Sequence, residues 1–304
     1  MASIRQIRGR LRSIQSTKQI MRAMQLVSAS KLKRAQDRLV QARSTLEFLD
    51  GLLQRVLAAV GSGLTHPLCA SAANAPAALV LFTSDTGLCG SYNTNLLQLA
   101  DSYLRKDGRQ PTQLVYVGKK GARHFTKRGY PGVESYLDLA GRPNLAKADA
   151  IGRALMARFL SGQASSVHLL YSEFKSAMVY RPAVVQWLPV QLQGGTGQET
   201  RGEGASSHAP RPTPHAPAAT EYIFEPSPTR VFEDLLPRWA LATFQRAMLE
   251  AFTSEHSARM IAMKNATDNA EELLKSLTRQ RNKLRQASIT KELSEIVGTA
   301  EALK

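Results

Sequence analysis

The residues best placed to do chemistry lie in a turn that follows a short apolar run. Residues 77–83 read Ala-Ala-Leu-Val-Leu-Phe-Thr, which is typical of a buried strand, and residues 84–90 (Ser-Asp-Thr-Gly-Leu-Cys-Gly) form the turn after it. A glycine-containing turn between a strand and a helix can hold a phosphate group with its backbone amides. This turn lacks both G-x-G-x-x-G and G-x-x-x-x-G-K-[ST], the patterns that supply closely approaching amides and a phosphate-binding lysine. The sequence therefore favours a plain strand-to-helix turn over a nucleotide site.

The remaining reactive side chains form no recognisable site. The six histidines include no H-E-x-x-H pair, and the two cysteines, Cys69 and Cys89, match no common metal motif. No G-x-S-x-G elbow is present, and residues 118–121 (Gly-Lys-Lys-Gly) indicate only a cationic turn. The sequence therefore predicts no catalytic residue, no metal site and no cofactor.

Two long helices at the ends of the chain are the elements that must position everything else. An apolar position recurs every three or four residues from Ile4 to Val56, and thirteen of its sixteen members are apolar. The polar members are Lys18, Gln25 and Ser28. A sustained stripe of this kind predicts a coiled coil. At 1.5 Å per residue, this helix would be about 85 Å long.

The C-terminal segment carries a second register of the same kind. The expected core positions are Met263, Ala266, Ala270, Leu273, Leu277, Gln280, Leu284 and Ala287, followed after a phase shift by Ile289, Leu293, Ile296, Ala300 and Leu303. Two such stripes in one chain predict an antiparallel two-helix coiled coil formed by the N- and C-termini.

The middle of the chain alternates between strand and helix patterns. Strands are predicted near residues 77–83, 113–117, 133–138, 167–171 and 183–192, with helices near 92–105, 119–127 and 146–160. Such alternation predicts a Rossmann-like α/β domain with a largely parallel sheet, inserted between the helical arms. The predicted organisation is an N-terminal helix (1–60), a linker (61–76), the α/β domain (77–193), a Gly/Pro-rich loop (194–219) and a C-terminal helix (220–304). The loop has no Val, Ile, Leu, Met or aromatic residue and is predicted to be disordered.

The positive charge is concentrated at one end of the chain. The formal net charge is +16, and the first 36 residues hold nine basic residues and no acidic one. An anionic partner is therefore expected. One reading is a basic helix that binds DNA in the major groove; another is a shaft inside an acidic collar. Ile7, Leu11 and Ile14 keep the core register within the basic run, which favours the shaft, and Ile20, Met24 and Val27 add an offset apolar stripe.

Several segments resemble the ATP synthase gamma subunit family. The resemblance rests on residues 4–8 (Ile-Arg-Gln-Ile-Arg), 16–24, 27–36, the turn at 84–90, residues 222–228 (Tyr-Ile-Phe-Glu-Pro-Ser-Pro), 254–270 and 282–297. It covers nearly the whole chain in order. Two departures are the reading Gly298-Thr-Ala300 after the last valine, where the family usually has Ser-Gly-Ala, and the length of the 194–219 loop.

The resemblance implies a central rotor shaft that is not an enzyme on its own. In the family, the coiled coil stands inside the ring of alpha and beta subunits and couples ion flow to ATP synthesis or hydrolysis. The α/β domain contacts the epsilon subunit and the ring of c subunits. The implied location is the cytoplasmic side of the bacterial inner membrane, as a peripheral protein that does not bind nucleic acid. A basic coiled-coil scaffold or DNA-binding protein, and an α/β enzyme with helical arms, stay open as alternatives.

The resemblance also implies which residues meet the alpha/beta ring. Met24 and its basic neighbours Lys18, Arg22 and Lys31 match the zone that faces acidic loops of the beta subunits. A second group, near the tip of the shaft, matches the family's polar contacts: Arg285, Gln286, Thr290 and Glu292.

Overall fold

The two terminal helices form the longest elements of the structure, a computed structural model that describes residues 4–60, 65–70, 75–105, 112–139, 144–191 and 224–302. Helix α1 spans Ile4–Val60 and helix α5 spans Pro228–Ala302. At 1.5 Å per residue they are about 85 Å and about 110 Å long. Helix α5 begins with Ser227, whose hydroxyl accepts a hydrogen bond from the Arg230 amide at 3.3 Å, and with a proline at its first position.

Polar contacts show that α1 and α5 pack side by side in opposite directions. The Lys18 ammonium lies 2.9 Å from the Glu271 carboxylate, and the Trp239 indole donates to Asp50. Rising numbers on α1 thus meet falling numbers on α5, as the antiparallel prediction requires. We call this helix pair the shaft.

The predicted register of α1 agrees with the structure. Each predicted core position from Ile7 to Val56 is buried or half-buried, including the polar residues Lys18, Gln25 and Ser28. Ser28 satisfies its hydroxyl by donating to the carbonyl of Met24 at 2.8 Å. The polar residues of the stripe therefore lie in the seam.

The predicted register of α5 is partly wrong. Met263, Ala270, Leu277 and Leu284 face α1, but Leu273 is exposed. Four further positions turn inward, each one residue later than a predicted position: Thr267, Leu274, Arg281 and Ser288. Of the corresponding predicted residues, Ala266 is half-buried, whereas Leu273, Gln280 and Ala287 are exposed. Of the predicted positions after the phase shift, Ile289, Leu293 and Ile296 are exposed. The four-then-three spacing of α1 thus continues on α5, because both helices wind around a common axis.

The α/β domain contains a five-stranded sheet. Its strands are β1 (Ala77–Phe82), β2 (Thr112–Val117), β3 (Glu134–Tyr136), β4 (Ser166–Phe174) and β5 (Tyr180–Leu188), in the spatial order β3-β2-β1-β4-β5. Strands β1 to β4 are parallel and β5 is antiparallel to β4. The helices of the domain are α2 (Tyr92–Arg105), α3 (Lys119–Thr126) and α4 (Leu145–Leu160). The predicted fold class, an α/β domain with two helical arms, is confirmed.

Alternate residues of each strand point into two apolar cores, as the two-residue period of a strand requires. Val80 and Phe82 face the core that contains α4 and α5, and Leu79 and Leu81 face the core that contains α2 and α3. Helix α5 therefore serves both as one arm of the shaft and as a layer of the α/β domain.

The predicted segment boundaries stay a prediction. Half of the predicted linker (residues 61–64 and 71–74) and the whole 194–219 loop lie outside the described residues. Within the linker, Pro67–Cys69 form a short 3₁₀ helix, capped by the His66 ring nitrogen, which accepts from the Leu68 amide at 3.0 Å.

Candidate functional site

The first group of predicted contact residues occupies two faces of α1. At 3.6 residues per turn, Arg22 and Lys31 lie about 180° apart around the helix axis. Lys18 lies near the Arg22 face, and Met24 lies near the Lys31 face. Arg22 is exposed, whereas the other three are half-buried. We call these four residues the basic collar.

One member of the basic collar is paired within the chain. Lys18 donates to Glu271 on α5, and Lys275 also lies 3.4 Å from the same carboxylate. These two hydrogen bonds lower the pKa of Glu271. Lys18 therefore helps to join the arms, while its predicted role toward a partner stays a prediction.

Apolar side chains lie exposed beside the basic collar. Ile20 is 61% exposed and Val27 is 56% exposed, although the sequence pattern placed both on an offset apolar stripe. Met24, the third member of that stripe, is half-buried. The stripe therefore faces outward from the described part of the chain, next to the cationic residues.

The second predicted group begins opposite the first turn of α1 and continues along α5 beyond it. Arg285, Gln286, Thr290 and Glu292 are all exposed. The Thr290 hydroxyl donates to the Gln286 carbonyl at 3.0 Å, and the Ser288 hydroxyl donates to Glu292 at 3.4 Å. Both bonds stay within one helix, so the outward atoms of Arg285 and Glu292 are presented to the surroundings.

An exposed apolar stripe runs along the same end of α5. Ile289, Leu293, Ile296 and Val297 are between 49% and 64% exposed. Because Lys18 is opposite Glu271, the first turn of α1 lies opposite residues near Arg285, and the described part of α1 does not reach this stripe. We call residues 289–297 the tip. Exposed apolar residues in a contiguous row are typical of a surface that contacts a partner.

The turn at residues 84–90 is held in place by side chains. The Ser84 amide donates to Asn93 at 3.1 Å, and the Gly121 amide donates to the Thr83 hydroxyl at 2.9 Å. The Arg259 guanidinium on α5 donates to the carbonyls of Gly87 and Thr86, at 3.1 Å and 3.3 Å. In parallel sheets of this kind, ligands bind at the carboxyl edge where the strand order reverses, which here is between β1 and β4. Helix α5 lies at this edge, because Arg259 bonds to the turn after β1 and Ser254 bonds to Ser172 near the end of β4.

Glu255 and Arg259 are not among the site residues that the sequence predicts. They lie one helical turn apart among the small residues Ser254, Ser257 and Ala258, and that pattern was the available signal for a closely packed, charged contact. Burial of the pair depends on the α/β domain, which is distant in sequence.

The described residues contain no group of three or more His, Cys, Asp or Glu side chains arranged to hold a metal ion. Among the helices that the structure describes, none is both long enough and apolar enough to cross a membrane.

Comparison with known proteins gives matches along the whole chain. Residues 3–303 match the protein family described as ATP synthase. A protein of Symbiobacterium thermophilum, called ATP synthase gamma chain, is 40% identical over 300 residues, which cover 98% of this chain and 97% of that protein. The ATP synthase gamma chain of Anaeromyxobacter dehalogenans is 41% identical, with both chains fully covered.

Solved structures share the fold. A chain of the Euglena gracilis mitochondrial ATP synthase, from an assembly of OSCP, F1 and c-ring in rotational state 3, superposes with a TM-score of 0.65 at 19% identity, over 99% of this chain and 94% of that one. A chain from the rotor of the same enzyme in rotational state 1 gives a TM-score of 0.61 at 18% identity, over 94% of this chain and 98% of that one.

Proposed function

This chain belongs to the ATP synthase gamma family, and from that premise we propose that it is the central rotor shaft that couples ion flow through a membrane ring to ATP synthesis or hydrolysis. The observation that carries the proposal is the two-helix shaft, whose tip projects beyond the described part of its own partner helix. A stiff rod rooted in an α/β domain can transmit torque, whereas a globular enzyme domain has no need of one.

The proposed partners follow from the three parts of the molecule. The alpha and beta subunits would surround the shaft, and the epsilon subunit and c-subunit ring would contact the α/β domain. The protein would attach to the cytoplasmic side of the bacterial inner membrane only through these partners. We propose that this chain performs no catalysis itself, which is supported by the bonds of α5 to the turn after β1, at the sheet edge where α/β domains bind ligands.

The proposed contacts with the alpha/beta ring are the basic collar and the four polar residues at or near the tip, Arg285, Gln286, Thr290 and Glu292. Because Arg22 and Lys31 lie on opposite faces of α1, turning the shaft brings a different cationic side chain toward a given beta subunit. A contact of this kind distinguishes shaft angles, since like charges at an interface can differ from opposite charges by several kcal/mol. Three chemically identical sites would thereby be held in different states.

A reversible cross-link tests the proposal. Glu292→Cys, joined by a disulfide to an engineered cysteine on a neighbouring beta subunit, is expected to suppress multisite ATP turnover, and reduction is expected to restore it. The physical reason is that a turning shaft cannot keep one contact among three partners. The half-buried Cys69 is replaced by serine in all variants, and the matched control carries Glu292→Cys without the cysteine on the beta subunit.

A second link lower on the shaft removes an ambiguity. The end of α5 could unwind at a link to position 292, so Arg22→Cys, on an exposed position of α1, is linked in the same way. Full ATP turnover with both links closed would refute the rotor assignment and favour a static scaffold. For the DNA-binding alternative, the discriminating result would be salt-sensitive binding of the isolated chain to duplex DNA.

A further inference from the structure

A buried ion pair joins the shaft to the α/β domain. Glu255 is 3% exposed and Arg259 is 7% exposed, and the guanidinium donates to the carboxylate at 2.7 Å. The same guanidinium bonds to the hydroxyl of Thr86 at 3.0 Å, in addition to the carbonyls of Thr86 and Gly87. One side chain of α5 therefore holds the turn after β1 by three hydrogen bonds, through two of its nitrogens.

Neighbouring residues of α5 make further polar contacts with the same domain. The Ser254 hydroxyl donates to the Ser172 carbonyl at 3.0 Å, and the Ser257 hydroxyl donates to the carbonyl of Ala177. The Tyr92 hydroxyl of α2 donates to the Ala251 carbonyl at 3.0 Å. These bonds tie a short stretch of α5 to β4, to the connection between β4 and β5, and to α2.

The other arm of the shaft is tied in at the same level. Arg43 of α1 donates to the Phe174 carbonyl at 2.8 Å and to Glu250 at 3.0 Å. Glu250 is 6% exposed. Both arms are therefore bonded to the carboxyl end of β4, and α5 is also bonded to the turn after β1.

Stability alone does not account for so many buried polar groups. Buried ion pairs can often be replaced by apolar residues of similar volume without loss of stability. Charge-assisted hydrogen bonds, and above all those of a guanidinium fork, fix direction as well as distance. An apolar contact lets two surfaces rotate slightly past each other, and a set of directed bonds resists that rotation.

We propose that Glu255 and Arg259 are positioning residues of a torsional clamp, which keeps the α/β domain from rotating about the shaft when torque passes between them. This inference rests on the proposed rotor function, and it adds the site at which torque is transmitted between the shaft and the α/β domain. Arg259 forms hydrogen bonds to the turn after β1, and Glu255 holds the guanidinium in the orientation that reaches Thr86 and Gly87.

The torsional stiffness that the clamp provides can be measured from the angular fluctuation of single molecules. The shaft is held in an immobilised complex of alpha and beta subunits, and a bead is attached to the α/β domain through Lys127→Cys, an exposed position just after α3. Without ATP, the angular variance of the bead reports the torsional stiffness between domain and shaft. With ATP, rotation of the bead tests the rotor function in the same molecules.

Four variants separate the clamp from general stability. We expect Arg259→Gln to raise the angular variance at least about twofold, since contacting residues of one network are strongly coupled. Thr86→Val, which removes one acceptor, and Arg259→Lys, which keeps the charge without the fork, are expected to raise it less. Phe244→Leu weakens the apolar packing of α5 on the domain and is expected to lower the melting temperature without changing the variance.

Each outcome decides a different question. A wild-type bead that does not rotate with ATP would refute the rotor function, whatever the variance shows. A rotating wild type, together with an Arg259→Gln variance equal to that of wild type, would refute the clamp alone. If Arg259→Gln fails to assemble, Thr86→Val and Arg259→Lys decide the matter, and wild-type variance in both would likewise overturn the proposal. A Phe244→Leu variance as large as that of Arg259→Gln would assign the stiffness to packing and also refute the clamp.

Discussion

Gly152 lies where α4 packs against the shaft, and substituting alanine there should have the opposite effect from the same substitution in the shaft itself. A Cβ atom at position 152 would lie 2.8 Å from the Leu241 Cδ2 and 3.3 Å from the Phe244 Cδ1. Both neighbours are buried, so they have little room to move. At Gly51, inside α1, a Cβ atom would meet nothing within 4 Å among the described residues.

The expected magnitudes follow from these distances. In a helix interior, Gly→Ala stabilises by about 1 kcal/mol, and Gly51→Ala should gain about that amount. At Gly152 the same gain is opposed by overpacking, which costs about 1–3 kcal/mol. We therefore expect Gly152→Ala to be neutral or to destabilise by up to about 2 kcal/mol. The two variants should differ by about 1–3 kcal/mol, or several degrees in melting temperature.

Denaturation of the purified full-length chain, followed by circular dichroism, measures the difference. Leu241→Val shortens the side chain that a Cβ at position 152 would meet, so the cost of Gly152→Ala should shrink in that background. Equal stabilisation by Gly51→Ala and Gly152→Ala would show that α4 does not pack on α5 as closely as the structure describes. An undiminished cost in the Leu241→Val background would exclude the contact with Leu241 as its cause.

Two further predictions concern charge. Burial raises the pKa of Glu255, and the charge of Arg259 opposes that shift; the weaker effects of Asp85 and Lys31 have opposite signs. A carboxyl group whose pKa is raised in the folded state stabilises the fold at pH values below its ordinary pKa. This stabilisation is lost as the pH rises through the raised pKa. Arg259→Gln removes the main opposing charge, so its loss of stability relative to wild type should be larger at about pH 8 than at about pH 5, and equal losses at both values would contradict this reasoning. The second prediction is that Arg22→Glu combined with Lys31→Glu reduces ATP-driven ion pumping more than it reduces helix content, because like charges at an interface can cost several kcal/mol. The control, Arg22→Gln with Lys31→Gln, should pump at an intermediate rate. Unchanged pumping in the glutamate double variant would remove the collar from the mechanism.

The register of α1 could be predicted from the sequence, while that of α5 could not. On α1 one apolar stripe runs from Ile4 to Val56, whereas the offset stripe of Ile20, Met24 and Val27 is short, so the longer stripe identifies the buried face. On α5, Leu273 and Leu274 are adjacent and equally apolar, and Gln280 and Arg281 are adjacent and equally polar. The half-buried residues are Leu274 and Arg281. Composition cannot separate such neighbours, since the choice is made by the geometry of the partner helix.

For the candidate site, the sequence could predict which residues are exposed but not which side chains are paired; the role of these residues stays a prediction. The exposed residues Arg22, Arg285 and Glu292 need no knowledge of the fold to be placed outside. By contrast, Lys18 is bonded to Glu271, 253 positions away, and Arg259 is bonded to the turn after β1. Long-range polar pairs leave no periodic signal in the sequence, so they emerge only when the elements are packed together.

The distribution of charge explains why one arm of the shaft, and not both, carries the basic collar. The segment from residue 229 holds twelve basic and ten acidic residues, whereas the first 36 residues hold nine basic residues and no acidic one. Pairing such arms side by side gives the shaft one strongly cationic side and one nearly neutral side. Rotation of a uniformly charged rod would leave the surrounding potential unchanged, so it could not distinguish three identical partners. An asymmetric rod changes the field at each partner as it turns, and the effect is largest at short range, within about 8–10 Å at physiological ionic strength. The proposed coupling therefore requires that partners approach the collar closely, which the exposed position of Arg22 allows.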